Sequence, residues 1–450
     1  MPSEMLLKGG TIVSAEGQYR SDILCKDGVI SSIGEGLEGG GAEVVDASGK
    51  LVFPGIVDEH VHSRDPGLTY KDDFTNATMG AAAGGTTTIF EMPNTMPPVD
   101  SAKIFKEKLE HLRPKAYVDF ALYGVLHTTN LANFDEIVDV GAIGFKVFLG
   151  PTTGNIPPPD DGTLLKIMEK SASREVTIGF HAENHSIVDM LSEDLKKSGR
   201  TDPAAHTDAR PPICEEESIR KIAILSKHTG GRAHIFHMCA KEGVYALAQA
   251  RKERVDISGE TCPQYLLLNT DAYSKYGTLA KINPPLRDRT HQEALWRAVQ
   301  DGTIMTVGSD HAPHSAEEKK GNIWDCAAGF IGVQTLFPLM LDAALQGTTS
   351  LESLPKLLAE GPARRFGLYP KKGAVRIGSD ADFAVVDPKQ TTEIKEKDIH
   401  AKYPISPFIG WRLKGSVVYT MLRGKVIMER GSVKGPYGDF VRPRRDVRHG

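Results

Sequence analysis

The sequence predicts an α/β protein, a (β/α)8 TIM barrel carrying a small β-sandwich assembled from both chain ends. Three observations predict it. Between residues 53 and 366, eight short apolar runs alternate with longer stretches compatible with helices. Several of those runs close on a polar residue such as His, Lys or Asp, which a packed core does not require. Outside that span, both flanks alternate short β-type runs with Gly and Asp turns.

Barrel strands are expected at 54–62, 86–92, 117–123, 142–149, 175–181, 232–238, 254–260 and 302–310. Their near-continuous apolar character suits parallel strands covered on both faces, with crossover helices between them. Eight such units point to the barrel whose active sites lie at the C-terminal ends of its strands. The flanks hold candidate strands at 6–13, 22–26, 29–34 and 43–46, and again at 374–377, 382–387, 416–423 and 425–429. Neither flank has enough apolar residues for its own core, so the two are expected to share one sandwich. The expected division is residues 1–53 for the first part of the sandwich, 54–369 for the barrel, and 370–450 for the remainder plus an extended tail. That tail, 435–450, mixes Arg with Pro and Gly and reads as solvated or packed on a neighbouring subunit.

Composition narrows the function. A chain of 450 residues with 40% hydrophobic and 25% charged residues is ordinary for a globular enzyme. A net charge of −4 leaves no basic surplus for phosphates, so no nucleic-acid partner is expected. No apolar run is long enough to span a bilayer, and residues 1–10 lack the core of a secretory signal. The five cysteines are scattered without a CxxC pair, which suits reduced thiols in the cytoplasm.

The strongest chemical signal is His60-Val61-His62, closing the first barrel run. Residues i and i+2 of a strand share a face, so both imidazoles converge on one point, as a zinc-type ion requires. A lone His-x-His pair arises by chance on surface strands. Here four more residues close later runs: Lys146, His181, His237 and Asp310. Lys146 reads two ways. It can be a strand-end lysine paired with a carboxylate, or a lysine carbamylated by CO2, whose two anionic oxygens can bridge two cations. His185 reads as surface or supporting, His234 as facing away from His237, and His311 as pointing away from the site. The glycines of 80–85 lack the following Lys-Ser/Thr of a phosphate loop and read as a helix terminator.

With these residues the chain resembles the cyclic amidohydrolases of the amidohydrolase superfamily, the group of dihydroorotase, allantoinase and hydantoinase. The similarity runs from the Pro54-Gly55-Ile56-Val57-Asp58-Glu59-His60-Val61-His62 block to Gly378-Ser379-Asp380-Ala381-Asp382. It implies two divalent ions, zinc the first choice. His60, His62 and Asp310 hold the more buried ion, His181 and His237 the other, and carbamylated Lys146 bridges them. It also implies a homodimer or homotetramer. The expected chemistry is ring opening by a hydroxide held between the ions, with Asp310 moving its proton to the departing nitrogen.

Substrate choice falls to loop residues past the strand ends. Arg64, Asn94 and His314 match the three positions that bind the ring carboxylate in dihydroorotase, and an Arg fork beside such donors suits that group. Thr152 resembles a loop threonine that closes over substrate. Asn283 lies in Lys281-Ile282-Asn283-Pro284-Pro285-Leu286-Arg287, also similar to that enzyme. Thr261-Cys262-Pro263-Gln264-Tyr265 looks more like hydantoinases and allantoinases. The first expectation is dihydroorotate, with a carboxymethyl hydantoin fitting the same anchors. The alternative is allantoin or a neutral hydantoin. A non-catalytic scaffold relative is expected to lose metal ligands, whereas all six positions are filled here.

Overall fold

The structure is a computed structural model and describes residues 4–151 and 156–445. The chain opens with β1 (Glu4–Ser14), β2 (Gly17–Lys26), β3 (Val29–Gly34), β4 (Glu43–Asp46) and β5 (Leu51–Pro54). The barrel follows in β6 (Ile56–Val61), β7 (Thr86–Glu91), β8 (Asp119–Leu122), β9 (Gly124–Val125), β10 (Phe145–Phe148), β11 (Thr177–His181), β12 (Arg232–Ile235), β13 (Ile257–Thr261) and β14 (Thr306–Val307). The chain returns to the first sheet through β15 (Phe383–Glu393), β16 (Arg412–Leu422), β17 (Lys425–Glu429) and β18 (Ser432–Val433).

Every residue of β6, β7, β10, β11 and β13 is buried, because helices cover one face and the barrel interior the other. The strands pair in parallel in the order β6-β7-β8 and β9-β10-β11-β12-β13-β14. β8 and β9 are two halves of one barrel strand, broken at Tyr123. His62 donates its backbone N–H to His311 O at 2.8 Å, and Val61 bridges His311, so the last strand meets the first. Helix Phe74–Ala83 shows how local signals set the crossovers. Asp73 caps its N-terminus, and Gly84 and Gly85 (φ 93°) end it before β7, as the 80–85 stretch suggests. Below the site, Phe90, Tyr123, Phe236 and Phe366 pack edge-on and fill the barrel.

Both chain ends build one nine-stranded mixed sheet, in the order β18-β17-β16-β15-β5-β1-β2-β3 with β4 on β1. The two ends join where β5 pairs antiparallel with β15. Leu7, Ile12, Ile23, Val52, Phe383, Val385 and Met421 form its core, which neither flank supplies alone. Two strand expectations change. Residues 374–377 form no strand and lie between Gly373 (φ 78°) and Gly378 (φ 88°), with Ile377 exposed. The eighth barrel strand is regular only over Thr306–Val307, because the chain bends toward Asp310, whose φ is 46°. The tail packs on its own barrel: Phe120 N–H bonds Asp439 O, Val441 N–H bonds Phe120 O, and Arg444 N–H bonds Gly367 O. No helix among the described residues is long and apolar enough to cross a membrane, and all five cysteines are free and buried.

Candidate active site

The C-terminal strand ends surround a pocket lined by His60, His62, Lys146, His181, His237 and Asp310. Five strands deliver these side chains. His60 lies within β6 and His62 just past it, Lys146 within β10, His181 at the end of β11, and His237 and Asp310 just beyond β12 and β14. Asp310 Oδ1 lies 3.2 Å from His60 Nε2 and 3.4 Å from His62 Nε2. Across the pocket, His181 Nδ1 and His237 Nε2 are 3.0 Å apart. His237 (φ 42°), Asp310 (φ 46°) and Arg64 (φ 69°) all adopt the left-handed region, a strain of about 1–3 kcal/mol each that clusters at functional sites.

Three of the four pocket imidazoles are aimed by a partner on the ring's other side, whereas His237 Nδ1 has none among the described residues. Glu260 Oε1 lies 2.8 Å from His60 Nδ1, Asn94 Oδ1 lies 2.8 Å from His62 Nδ1, and Glu183 Oε2 lies 2.9 Å from His181 Nε2. Arg210 in turn bonds Glu183 and donates to Pro151 O at 3.0 Å. Burial raises the Glu183 carboxyl, but Arg210 and His181 outweigh it and bring its pKa to about 2. Burial, helped by the Lys146 ammonium, holds His60 and His237 well below the usual imidazole range, and burial brings His62 to about 4.

Neutral imidazoles whose lone pairs converge on a carboxylate form a donor set for a divalent cation of the zinc kind. His60, His62 and Asp310 offer three such atoms within 4.8 Å of one another. Lys146 sharpens the fit. Its Nζ is buried without a hydrogen-bond partner among the described residues, 3.9 Å above the Phe236 ring, and burial lowers its pKa to about 8. A carboxylate partner, the other reading of this lysine, is not within bonding distance of Nζ among the described residues.

The remaining wall is formed by Arg64, Asn94, Phe148, Asn283, Ala312, Ala328 and Gly329. Three of the sequence-predicted substrate residues therefore reach the pocket: Arg64, Asn94 and Asn283. His314 does not line it. Its Nδ1 faces Lys71 Nζ at 3.4 Å and its Nε2 faces Ala328 O at 3.0 Å. An ammonium only donates and a carbonyl only accepts, so the proton sits on Nε2. That leaves Arg64 Nη2, 3.3 Å from the same nitrogen, with donor capacity to spare, while Arg64 Nε is held by Pro313 O at 3.1 Å. Thr152 lies outside the described residues. His185 pairs with Asp189 at 3.0 Å on a half-exposed helix start. His311 accepts from Gly332 N and Val333 N behind the pocket. His234 sits deeper, bonded to Ser258 Oγ.

Sequence reasoning passed over Glu183, Glu260 and the backbone-lined rim at Ala328 and Gly329. Glu260 did close an apolar run, the one sequence signal available for it. Nothing local distinguishes Ala328 or Gly329.

The amidohydrolase family matches residues 51–427 of this chain. An allantoinase of Rubrobacter xylanophilus is 39% identical over 448 residues, covering 98% of each chain. An L-hydantoinase of Paenarthrobacter aurescens is 36% identical over 450 residues, again covering 98% of each. The solved L-hydantoinase (dihydropyrimidinase) from Arthrobacter aurescens superposes with a TM-score of 0.95 at 36% identity, over 98% of this chain and 100% of that one. The chain belongs to the amidohydrolase family and is a hydrolase acting on carbon–nitrogen bonds.

Proposed function

We propose that this chain opens a five-membered cyclic ureide of the allantoin or hydantoin kind, using two divalent ions held by His60, His62, Lys146, His181, His237 and Asp310. The observation that carries the reading is the convergence of these six residues on one small pocket whose other wall, among the described residues, holds one buried cation, Arg64. A ring carboxylate calls for several donors together. His314 is turned to Ala328 and Lys71, so the three-point carboxylate anchor of dihydroorotase loses its imidazole donor. The names of the allantoinase and L-hydantoinase relatives support the same ordering. Allantoin or hydantoin therefore takes precedence over dihydroorotate.

Bound in this site, the ions supply a nucleophile at neutral pH and polarise the scissile carbonyl. Lys146, its amine easily deprotonated by burial, adds CO2 through a new N–C bond and releases a proton, giving an anionic carbamate between the two halves of the site. Asp310, 12% exposed and facing the pocket, accepts the proton of the attacking water and passes it to the departing ring nitrogen. Arg64 and Asn283 offer polar contacts to the exocyclic groups of the ring, and Phe148 with Ala312 excludes bulk water.

The test is a panel of allantoin, hydantoin, 5-substituted hydantoins, dihydrouracil and dihydroorotate with the zinc-loaded enzyme and with Arg64→Ala. The five-membered ureides are expected to turn over with kcat/KM at least about 100-fold above dihydroorotate. Arg64→Ala should raise KM for rings with a polar substituent more than for hydantoin itself; one lost hydrogen bond to a charged group corresponds to about 1.5–3 kcal/mol. Dihydroorotate as the best substrate reverses the choice of ring. A panel without any turnover overturns the reading.

A further inference from the structure

The orienting partners at the mouth differ in reach. Asn94 touches His62 and Glu183 touches His181. Glu260 touches one ligand in each half of the site: its Oε1 lies 2.8 Å from His60 Nδ1 and accepts the backbone N–H of His237 at 3.0 Å. The second bond matters because His237 holds a φ of 42°, which needs an external constraint. The side chain is fully buried in β13, and its room is made by Gly308, where a Cβ would come 2.4 Å from Glu260 Oε2.

We infer that Glu260 is a positioning residue that aligns the two halves of the metal centre together, fixing the His60 tautomer with one bond and the His237 backbone with the other. The inference rests on the two-ion reading proposed above. A carboxylate behind a ligating imidazole typically sets metal affinity by about 10- to 100-fold. Serving both halves, Glu260 governs both ions, whereas Asn94 governs one.

The experiment compares Glu260→Leu, Glu260→Gln and Asn94→Ala with the wild type. Zinc stoichiometry and affinity are read by titration and elemental analysis, and the visible spectrum of the cobalt form reports ligand geometry. Glu260→Leu is expected to bind both equivalents about 10- to 100-fold more weakly, with an altered cobalt spectrum. Glu260→Gln, whose amide oxygen accepts the same two bonds, should regain most of that loss. Asn94→Ala should weaken a single equivalent. A residue with a merely structural role would lower the melting temperature of the metal-free protein and leave both affinities unchanged. Wild-type affinity for either equivalent in Glu260→Leu overturns the inference. Should that variant not fold, nitrogen-15 histidine spectra of the metal-free wild type decide: a proton on His60 Nδ1 is expected, and one on Nε2 overturns it. A wild type that takes up no metal refutes the two-ion reading, whereas a two-ion wild type matched by Glu260→Leu refutes only the role of Glu260.

Discussion

Asp310 meets both His60 Nε2 and His62 Nε2 with a single oxygen, which leaves its other oxygen available for a proton that must move during ring opening. Asp310→Asn keeps the shape and a ligating oxygen but cannot take a proton. Its kcat should fall about 10²- to 10⁴-fold with KM little changed, measured by steady-state kinetics on the best ring of the panel. Near-normal turnover would remove Asp310 from the proton path. Lys146→Ala deletes the proposed bridging anion. It should lose bound metal along with turnover, and wild-type protein prepared in carbon-13 bicarbonate should show a carbamate carbon that the variant lacks. An unlabelled wild type that is nonetheless active would exclude carbamylation. At this scale the six pocket residues were legible because each interrupts or closes an apolar run with a residue type the core does not want. Glu183 and Asn94 were harder to place. Which ring nitrogen a carboxylate or amide supports depends on how neighbouring loops and strands approach one another, and no sequence spacing encodes that.

Between elements, the most concentrated charge away from the mouth is at the other end of the barrel. Lys372 Nζ lies 2.5 Å from Asp119, 2.8 Å from Asp380 and 2.7 Å from Asp382, all buried, and Arg423 also bonds Asp119. Asp119 begins β8 and Asp382 precedes β15, so one ammonium ties the barrel to the terminal sheet. The three carboxylates hold the Lys372 ammonium well above the usual lysine range despite burial. Lys372→Met fills the same space but leaves three buried carboxylates with only Arg423. It should destabilise the fold by about 3–5 kcal/mol in denaturant melts, with kcat close to wild type in the surviving native protein. A loss under about 1 kcal/mol would show that these aspartates are protonated or solvated once the lysine is gone. Strand identities were readable from apolar runs, but strand lengths were not. The eighth run is a regular strand only over Thr306–Val307 because the backbone must turn Asp310 into the pocket, and a propensity pattern contains no such demand.

Across the whole molecule, the proposed metal centre would join five barrel strands and so couple ligand occupancy to folding. Exhaustive chelation should abolish turnover and lower the thermal midpoint, and zinc should restore both. At a thousandfold excess of metal over its Kd the stabilisation is about 4 kcal/mol per site. An unchanged midpoint after verified metal removal would mean that the strand ends are rigid without ions. The sequence by itself determined the barrel and the sharing of one sheet by both chain ends, and it named the six residues that the structure brings to one pocket. Burial, strand alternation and metal-ligand chemistry are properties of residue type and period, and these are written in the chain. Only the tertiary structure decided which side chains are still free to meet a substrate. His314 looked like an anchor beside Arg64, but contacts from Lys71 and Ala328 engage it, and hydrogen-bonding capacity used inside the protein is not available to a ring.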